Sequence, residues 1–412
     1  MSDPSRSLVA VMPRPRTAWP SAAGLWVTAA GWAAAGERCF GRGWVVTPDA
    51  TASPEEAVGF ATAHYASATR SSPRRRLTPP VVRTAVKDAL QYRSIHRFAV
   101  GAGPWDSTPP ALVWQHHEIC HRAGIDLAQR AGCPAVVFVH APQVWEARQW
   151  GVRRPGWGSL LERFGESPAL RRADAVACVS EEVASLVVDL GADPGRVVVT
   201  PMAVDPERFH PGVSGKLVRD RYTLGEAPVI GWCGNFRRFH GLEQAVEGFA
   251  LVHRRQPDAR LLLVGDGPER RRIEELVQRL GLGDATRFTG GVPHVDMAAH
   301  LAAMDVAWVL AQPGEAFHYS PHKMREYLAC AVPVVAPSIG DVARVMHDDL
   351  DAVLYPPGDV GALAEATLEL LADPDRRRRI GSAGRELMLQ EGTWDAQLAK
   401  VTTLLGLSRP VT

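Results

Sequence analysis

Short unbroken apolar runs alternate along the chain with stretches whose apolar positions recur every three or four residues. Runs such as LVAVM at 8–12 and AVVFV at 135–139 suit strands buried on both faces, while the stretches between them have the helical period. The alternation predicts parallel sheets covered by helices, not separate blocks of strand and helix. In the first half strands are expected at 8–12, 44–47, 111–114, 135–139, 175–179 and 197–200, with helices such as 25–35 and 181–190 between them. At Val204-Asp205-Pro206-Glu207-Arg208-Phe209-His210-Pro211-Gly212 the pattern breaks into turn chemistry, which reads as a linker. A second series follows, with strands expected at 229–232, 260–264, 286–288, 306–309 and 332–336, and helices at 242–254, 268–280, 297–304, 323–329 and 360–371. Apolar residues at helical spacing over 395–405 predict a final packing helix. The expected fold is α/β: two Rossmann-like, doubly wound parallel-sheet domains over 1–205 and 206–390, with an interdomain cleft. The helix in 391–412 is expected to pack back on the first domain. Ligands of such sheets bind beyond the carboxyl ends of the strands, so residues there are the first candidates for chemistry.

A chain of 412 residues is too long for one ordinary core, which agrees with two domains. Lys plus Arg number 46 against 45 Asp plus Glu, so no global field favours nucleic acid and none is expected as a partner. The six cysteines form no CxxC pair and read as reduced thiols of a cytoplasmic protein. The segment 18–36 follows three arginines, yet Pro20, Ser21, Gly24, Thr28 and Gly31 dilute it too far for a signal peptide. No segment approaches the roughly 18 unbroken apolar residues of a membrane span.

Two of the expected strands in the second half end in glycine and open a helix, in C-G-N-F-R-R-F-H-G after 232 and V-G-D-G-P-E-R after 263. Glycine there lets backbone amides approach a phosphate, and the helix N-terminus adds partial positive charge. In S-P-H-K-M-R-E-Y-L-A, Lys323 lies in the first turn of a helix started by Ser320 and Pro321, and Glu326 follows one turn later. A lysine in a first turn opposes the macrodipole, which makes sense if an anion shares the site; a surface Lys-Glu pair is the alternative.

These segments, with R-F-T-G-G-V-P-H, P-V-V-A-P and, in the first half, R-A-D-A-V-A-C-V-S-E-E and V-T-P-M-A-V-D-P-E-R-F, resemble the family 4 glycosyltransferases in order and spacing over nearly the whole chain. The resemblance implies the GT-B fold and retaining transfer of a sugar from a nucleotide diphosphate, a UDP-sugar or GDP-sugar, with no metal. The leaving diphosphate would itself help deprotonate the acceptor. It implies that Gly234, Asn235, Arg238, Gly265 and Gly267 surround the donor, that Glu326 holds the ribose, that the turn at Val292 meets the base through backbone, and that Ser320 meets the donor sugar. Gly24 would touch donor phosphate and acceptor, and His140 the donor sugar. The acceptor is a small molecule, a lipid-linked sugar or a glycan, as in natural-product, glycolipid or polysaccharide assembly. The chain departs from the family in carrying Asn235 and His240 where arginine and lysine are usual, and His318 where the first of two glutamates would fall. Charge to balance the diphosphate must therefore come from Arg237, Arg238 or Lys323.

Two features lie outside this picture. His117-Glu118-Ile119-Cys120-His121 spells H-E-x-x-H, which on a helix would place two zinc ligands one turn apart beside a glutamate base. The motif follows a strand and has Leu127 at the third-ligand position, so the protease alternative gives way to an acceptor loop of His116, His117, Glu118 and Arg122. An epimerase or binder of nucleotide sugars with the same fold is the other alternative. Between Arg70 and Arg97 there are eight basic residues and one acidic, with an apolar face of Val81, Val82, Ala85, Val86, Ala89 and Leu90. That face is expected to pack on the sheet; the alternative is peripheral contact with an anionic membrane or an acidic acceptor.

Overall fold

The computed structural model describes residues 6–15, 23–62, 79–312, 317–318 and 320–407. They form two compact units, Met1–Pro201 with Trp394–Thr412, and Met202–Thr393. In the first, the described residues contribute strands β1 (Arg6–Val11), β2 (Gly41–Thr47), β3 (Ala50–Ala52), β4 (Pro110–His116), β5 (Ala135–Val139), β6 (Ala175–Cys178) and β7 (Val197–Val199). Their order is β3-β2-β1-β4-β5-β6-β7, all parallel except the β2–β3 pair. Strands β4 and β5 are buried at every position, which is why ALVW at 111–114 and AVVFV at 135–139 read as unbroken apolar runs. The short β3 has no such signature; it follows a turn in which the Thr47 hydroxyl bonds Asp49 Oδ1 at 2.8 Å.

The helix Ala23–Phe40 crosses over this sheet, and the helix Trp394–Leu404 packs on it. Trp32 stacks on Trp114 at 4.1 Å between centroids and meets the edge of Trp394 at 5.0 Å. Gly31 makes room, since a Cβ there would lie 2.2 Å from the Trp394 ring. Arg38 closes the contact on Asp395 at 2.9 Å.

The second unit holds β8 (Val229–Cys233), β9 (Arg260–Val264), β10 (Thr286–Phe288), β11 (Val306–Trp308), β12 (Val334–Pro337) and β13 (Val353–Tyr355) in the order β10-β9-β8-β11-β12-β13, all parallel. The order reverses between β8 and β11, the position at which doubly wound sheets open a binding crevice. The segment read as a linker packs on this unit: Val204 bridges Thr393, and Phe209 is buried in one core cluster with Leu301, Tyr327 and Met388. Its two apolar side chains anchor the turn residues between them. The helix Pro374–Gln390 escaped the periodic pattern because Gly381 and Gly384 interrupt it. Both are packing residues, with added Cβ atoms falling 2.2 Å from the Ala331 carbonyl oxygen and 2.5 Å from Leu328.

One packing expectation fails. The helix Pro80–His96 buries Ile95 but leaves Val82, Val86 and Leu90 exposed at 48, 53 and 63 %. Of the expected face only Val81 and Ala85 are half-buried, beside polar contacts in which Asp88 pairs with Arg154 and Gln91 bonds Glu118. The basic residues at 70–76 lie outside the described residues. No helix among the described residues is long and apolar enough to cross a membrane.

Replacing Trp394 with alanine should destabilise the first unit by about 3–5 kcal/mol, because a buried indole between Gly31 and Trp32 leaves a cavity that the helix pair cannot close. Urea denaturation of the variant measures this; a loss under about 1 kcal/mol would mean that the final helix is peripheral to that core.

Candidate functional site

At the carboxyl ends of β8, β9 and β10, three glycine turns meet in close backbone contact. Gly234, Gly265 and Gly290 have φ of 146°, 127° and 73°, conformations that L side chains rarely adopt. A Cβ on Gly265 would lie 1.9 Å from the Gly234 carbonyl oxygen, and one on Gly267 would lie 2.3 Å from Asn235 Oδ1. The Gly265 amide donates to the Gly290 carbonyl at 3.1 Å, tying the third turn to the second. The Val292 side chain points into the core, so anything this turn offers a ligand is backbone.

The helix His322–Ala329 brings two side chains to these turns. Lys323 Nζ lies 3.9 Å from the centroid of Trp232 and 2.8 Å from the place a Cβ on Gly234 would take. Burial pushes its ammonium down to about 8, against the opposing influence of Cys233 and Glu326. One turn later Glu326 is buried, with Oε1 2.8 Å from His294 Nε2 and 4.0 Å from His322 Nδ1. Burial raises the Glu326 carboxyl, but the His294 hydrogen bond and the neighbouring His294, His322 and Lys323 outweigh it and hold the group below its usual range. Burial likewise lowers His322 to about 4. His240, the residue in the place of the usual lysine, is pushed well below the imidazole range by burial and then by Lys323 and Arg237. It is neutral at pH 7.

The structure therefore brings Gly234, Asn235, Gly265, Gly267, the turn at Val292, Lys323 and Glu326 to the ends of neighbouring strands in one unit. Asn235 Oδ1 is buried without a hydrogen-bond partner among the described residues. Arg237 and Arg238 are exposed on the same loop. The Ser320 hydroxyl accepts from the Met202 amide at 3.1 Å, so its oxygen ties down the start of this unit. Tyr319, within the backbone stretch expected to meet the donor sugar, lies outside the described residues. The partnership of His294 with Glu326 and the aromatic wall of Trp232 carried no sequence signal. Each depends on a contact between segments at least 32 residues apart, the spacing of the His294–Glu326 pair.

Gly24 and His140 belong to the first unit. Gly24 lies in the first turn of the helix after β1, with nothing among the described residues within 4 Å of an added Cβ. His140, just past β5, has its ring edge-on to Phe138 at 4.8 Å and beside His116 at 5.2 Å. The H-E-x-x-H residues are not on a helix, and Cys120 has φ 65°, which removes the geometry a zinc protease needs. His117 Nε2 is 3.1 Å from Glu166, whereas His121 stacks on Phe98 and burial lowers it to about 3. Glu118 is buried against Arg14 and Gln91, and burial raises its carboxyl above the usual range despite Arg14. Arg122, expected in an acceptor loop, pairs with Asp126 at the surface. Among the described residues no cluster of His, Cys, Asp or Glu could hold a metal ion.

Comparison with known proteins adds to this geometry. Residues 44–208 match the model of Glycosyltransferase Family 4, and residues 218–387 that of Glycosyl transferases group 1. A GDP-mannose-dependent alpha-(1-6)-phosphatidylinositol monomannoside mannosyltransferase of Mycolicibacterium smegmatis is 29 % identical over 290 residues, covering 68 % of this chain and 72 % of the relative. A 2-deoxystreptamine glucosyltransferase of Streptomyces kanamyceticus is 32 % identical over 277 residues, covering 65 % and 69 %. Among solved structures, Anabaena HepE in complex with UDP superposes with a TM-score of 0.65 at 17 % identity over 97 % of this chain and 99 % of that one, a likeness of fold. With both halves matched in order, the chain belongs to the family 4, group 1 glycosyltransferases and is a glycosyltransferase of the GT-B fold.

Proposed function

We propose that the enzyme moves a sugar, with retention of anomeric configuration, from a nucleotide diphosphate to a hydroxyl of a small-molecule, lipid-linked or glycan acceptor. The observation that carries this reading is the Lys323 ammonium set against the Gly234 turn, with the Glu326 carboxylate one helical turn away. The turns at 234, 265 and 290 offer backbone to a diphosphate, Lys323 supplies the charge, and Glu326, steadied by His294, accepts from two ribose hydroxyls. Gly24 and His140 are assigned to the donor phosphate and donor sugar by family likeness.

In the transfer, the bond from the anomeric carbon to the diphosphate oxygen breaks. The bond to the acceptor oxygen forms on the same face, and the acceptor proton passes to the departing phosphate. No protein nucleophile takes part. Catalysis rests on positioning and on stabilising the negative charge that grows on the leaving group. Lys323 is the cation best placed for that, because His240 is neutral and Arg237 and Arg238 are exposed. The donor base is a uridine or guanosine: the Mycolicibacterium relative is named for GDP-mannose, and the Anabaena structure holds UDP. A thermal-shift panel of uridine, guanosine and thymidine diphosphates separates these, since the nucleotide that binds the folded state raises the melting temperature.

Glu326→Ala should weaken nucleotide-sugar binding by roughly 10- to 150-fold with the fold intact, the equivalent of about 1.5–3 kcal/mol for one charge-assisted contact. Calorimetric titration with nucleotide and nucleotide sugar reads it, and unchanged affinity for both sinks the ribose assignment.

Lys323→Ala should lower turnover more than donor affinity, by about 2–4 kcal/mol in the barrier or roughly 30- to 1000-fold in rate. Turnover within about threefold of wild type would shift the charge to Arg237 or Arg238. Because the free ammonium titrates at about 8, donor affinity should be full below that pH and fall above it, as the neutral amine must first take up a proton. The inflection should vanish in Lys323→Ala; a flat wild-type profile between pH 7 and 9, roughly a unit either side, would contradict the contact.

A further inference from the structure

The helix Pro80–His96 turns an exposed face of aliphatic and basic side chains toward solvent. At 3.6 residues per turn, positions 82, 86, 89, 90, 93 and 97 share one side, flanked by 83 and 87. That side carries the exposed aliphatics Val82, Val86 and Leu90 among the exposed bases Arg83, Lys87, Arg93 and Arg97. Asp88, the one carboxylate of the helix, is turned inward, where Arg154 Nε and Trp157 Nε1 donate to it at 2.8 and 2.9 Å. Together with buried Ile95 and the Gln91 contact to Glu118, that pairing fixes which way the helix faces. Lys87, Arg93 and Arg97 have no carboxylate partner among the described residues.

We propose that this face docks the enzyme on an anionic lipid surface. Interleaved aliphatic and basic side chains match the boundary of a bilayer, where the aliphatics enter the acyl region and the long bases reach back to the headgroups. Charge complementarity selects anionic lipid, because every charged side chain on the outward face of the helix is basic. A second copy of the chain fits poorly: a symmetric contact through this face would set its arginines against one another with no acid to separate them. The inference is independent of the sugar-transfer reading, since none of these side chains belongs to the donor turns.

Sedimentation of the full-length enzyme with vesicles tests it, using phosphatidylcholine alone and phosphatidylcholine mixed with phosphatidylglycerol, at low and moderate salt. The enzyme should pellet with the mixed vesicles only, and less so as salt rises. Val86→Gln with Leu90→Gln, and separately Arg93→Glu with Arg97→Glu, should each lower the partition coefficient by at least about tenfold. All four sites are exposed, so an unchanged melting curve verifies that each variant is folded. Equal pelleting with neutral vesicles, no pelleting at low salt, or full binding by the Val86→Gln, Leu90→Gln variant would overturn the proposal. Retention on a polyglutamate resin without vesicle binding would also overturn it, in favour of an acidic protein partner.

Discussion

The second unit is organised around glycine turns too close together to admit a Cβ on residues 265 or 267. Where β8 and β9 end, the carbonyl oxygen of Gly234 stands in the space a Cβ at position 265 would need, and Asn235 stands in the space for one at 267. Adding a methyl group to either glycine would push the turns apart, and the hydrogen bond from Gly265 to Gly290 would carry that displacement to the third turn. Close packing of backbone on backbone is also what leaves peptide groups at the surface of the crevice, where a phosphate can meet them. Lys323 reaches this edge because the flat face of Trp232 lines its path. The glycines, the indole and the lysine therefore depend on one another geometrically.

Burial sorts the charges around that edge. It makes His240 and His322 poor bases, while Glu326 stays ionised because its hydrogen bond and neighbouring groups outweigh desolvation. Lys323 is the exception that favours function over the unliganded fold: a half-buried ammonium with an aromatic ring for a neighbour is under-solvated until an anion arrives. The first unit shows the same sorting in another form, with His116 and His121 driven toward neutrality and Glu118 bound to Arg14.

Much of the architecture was legible because parallel strands buried on both faces leave unbroken apolar runs; strands at 135–139, 260–264 and 286–288 appear with the expected bounds. The strands β3 and β13 were not read, and the helix Pro374–Gln390 was hidden by glycines that serve packing. At the candidate site the glycine turns and the Lys323, Glu326 spacing were readable locally. The pairing of His294 with Glu326 and the inward turn of Asp88 were not, because each is decided by a partner distant in the chain. The helix Pro80–His96 shows the limit most plainly: an amphipathic pattern states that two faces differ, not which of them meets the protein.

The return of the chain to its first unit at Trp394 bears on how the enzyme is made. The residues that complete the first core, Trp394, Leu398 and Val401, leave the ribosome after every residue of the second unit. The amino-terminal sheet can assemble early, but the apolar surface around Trp32 and Gly31 waits uncovered while some two hundred residues are synthesised, ten seconds or more at the usual rate of about 5–20 residues per second. The unit begun first is thus the last to be sealed, and its exposed aromatic face is the part of the nascent protein that most needs shielding.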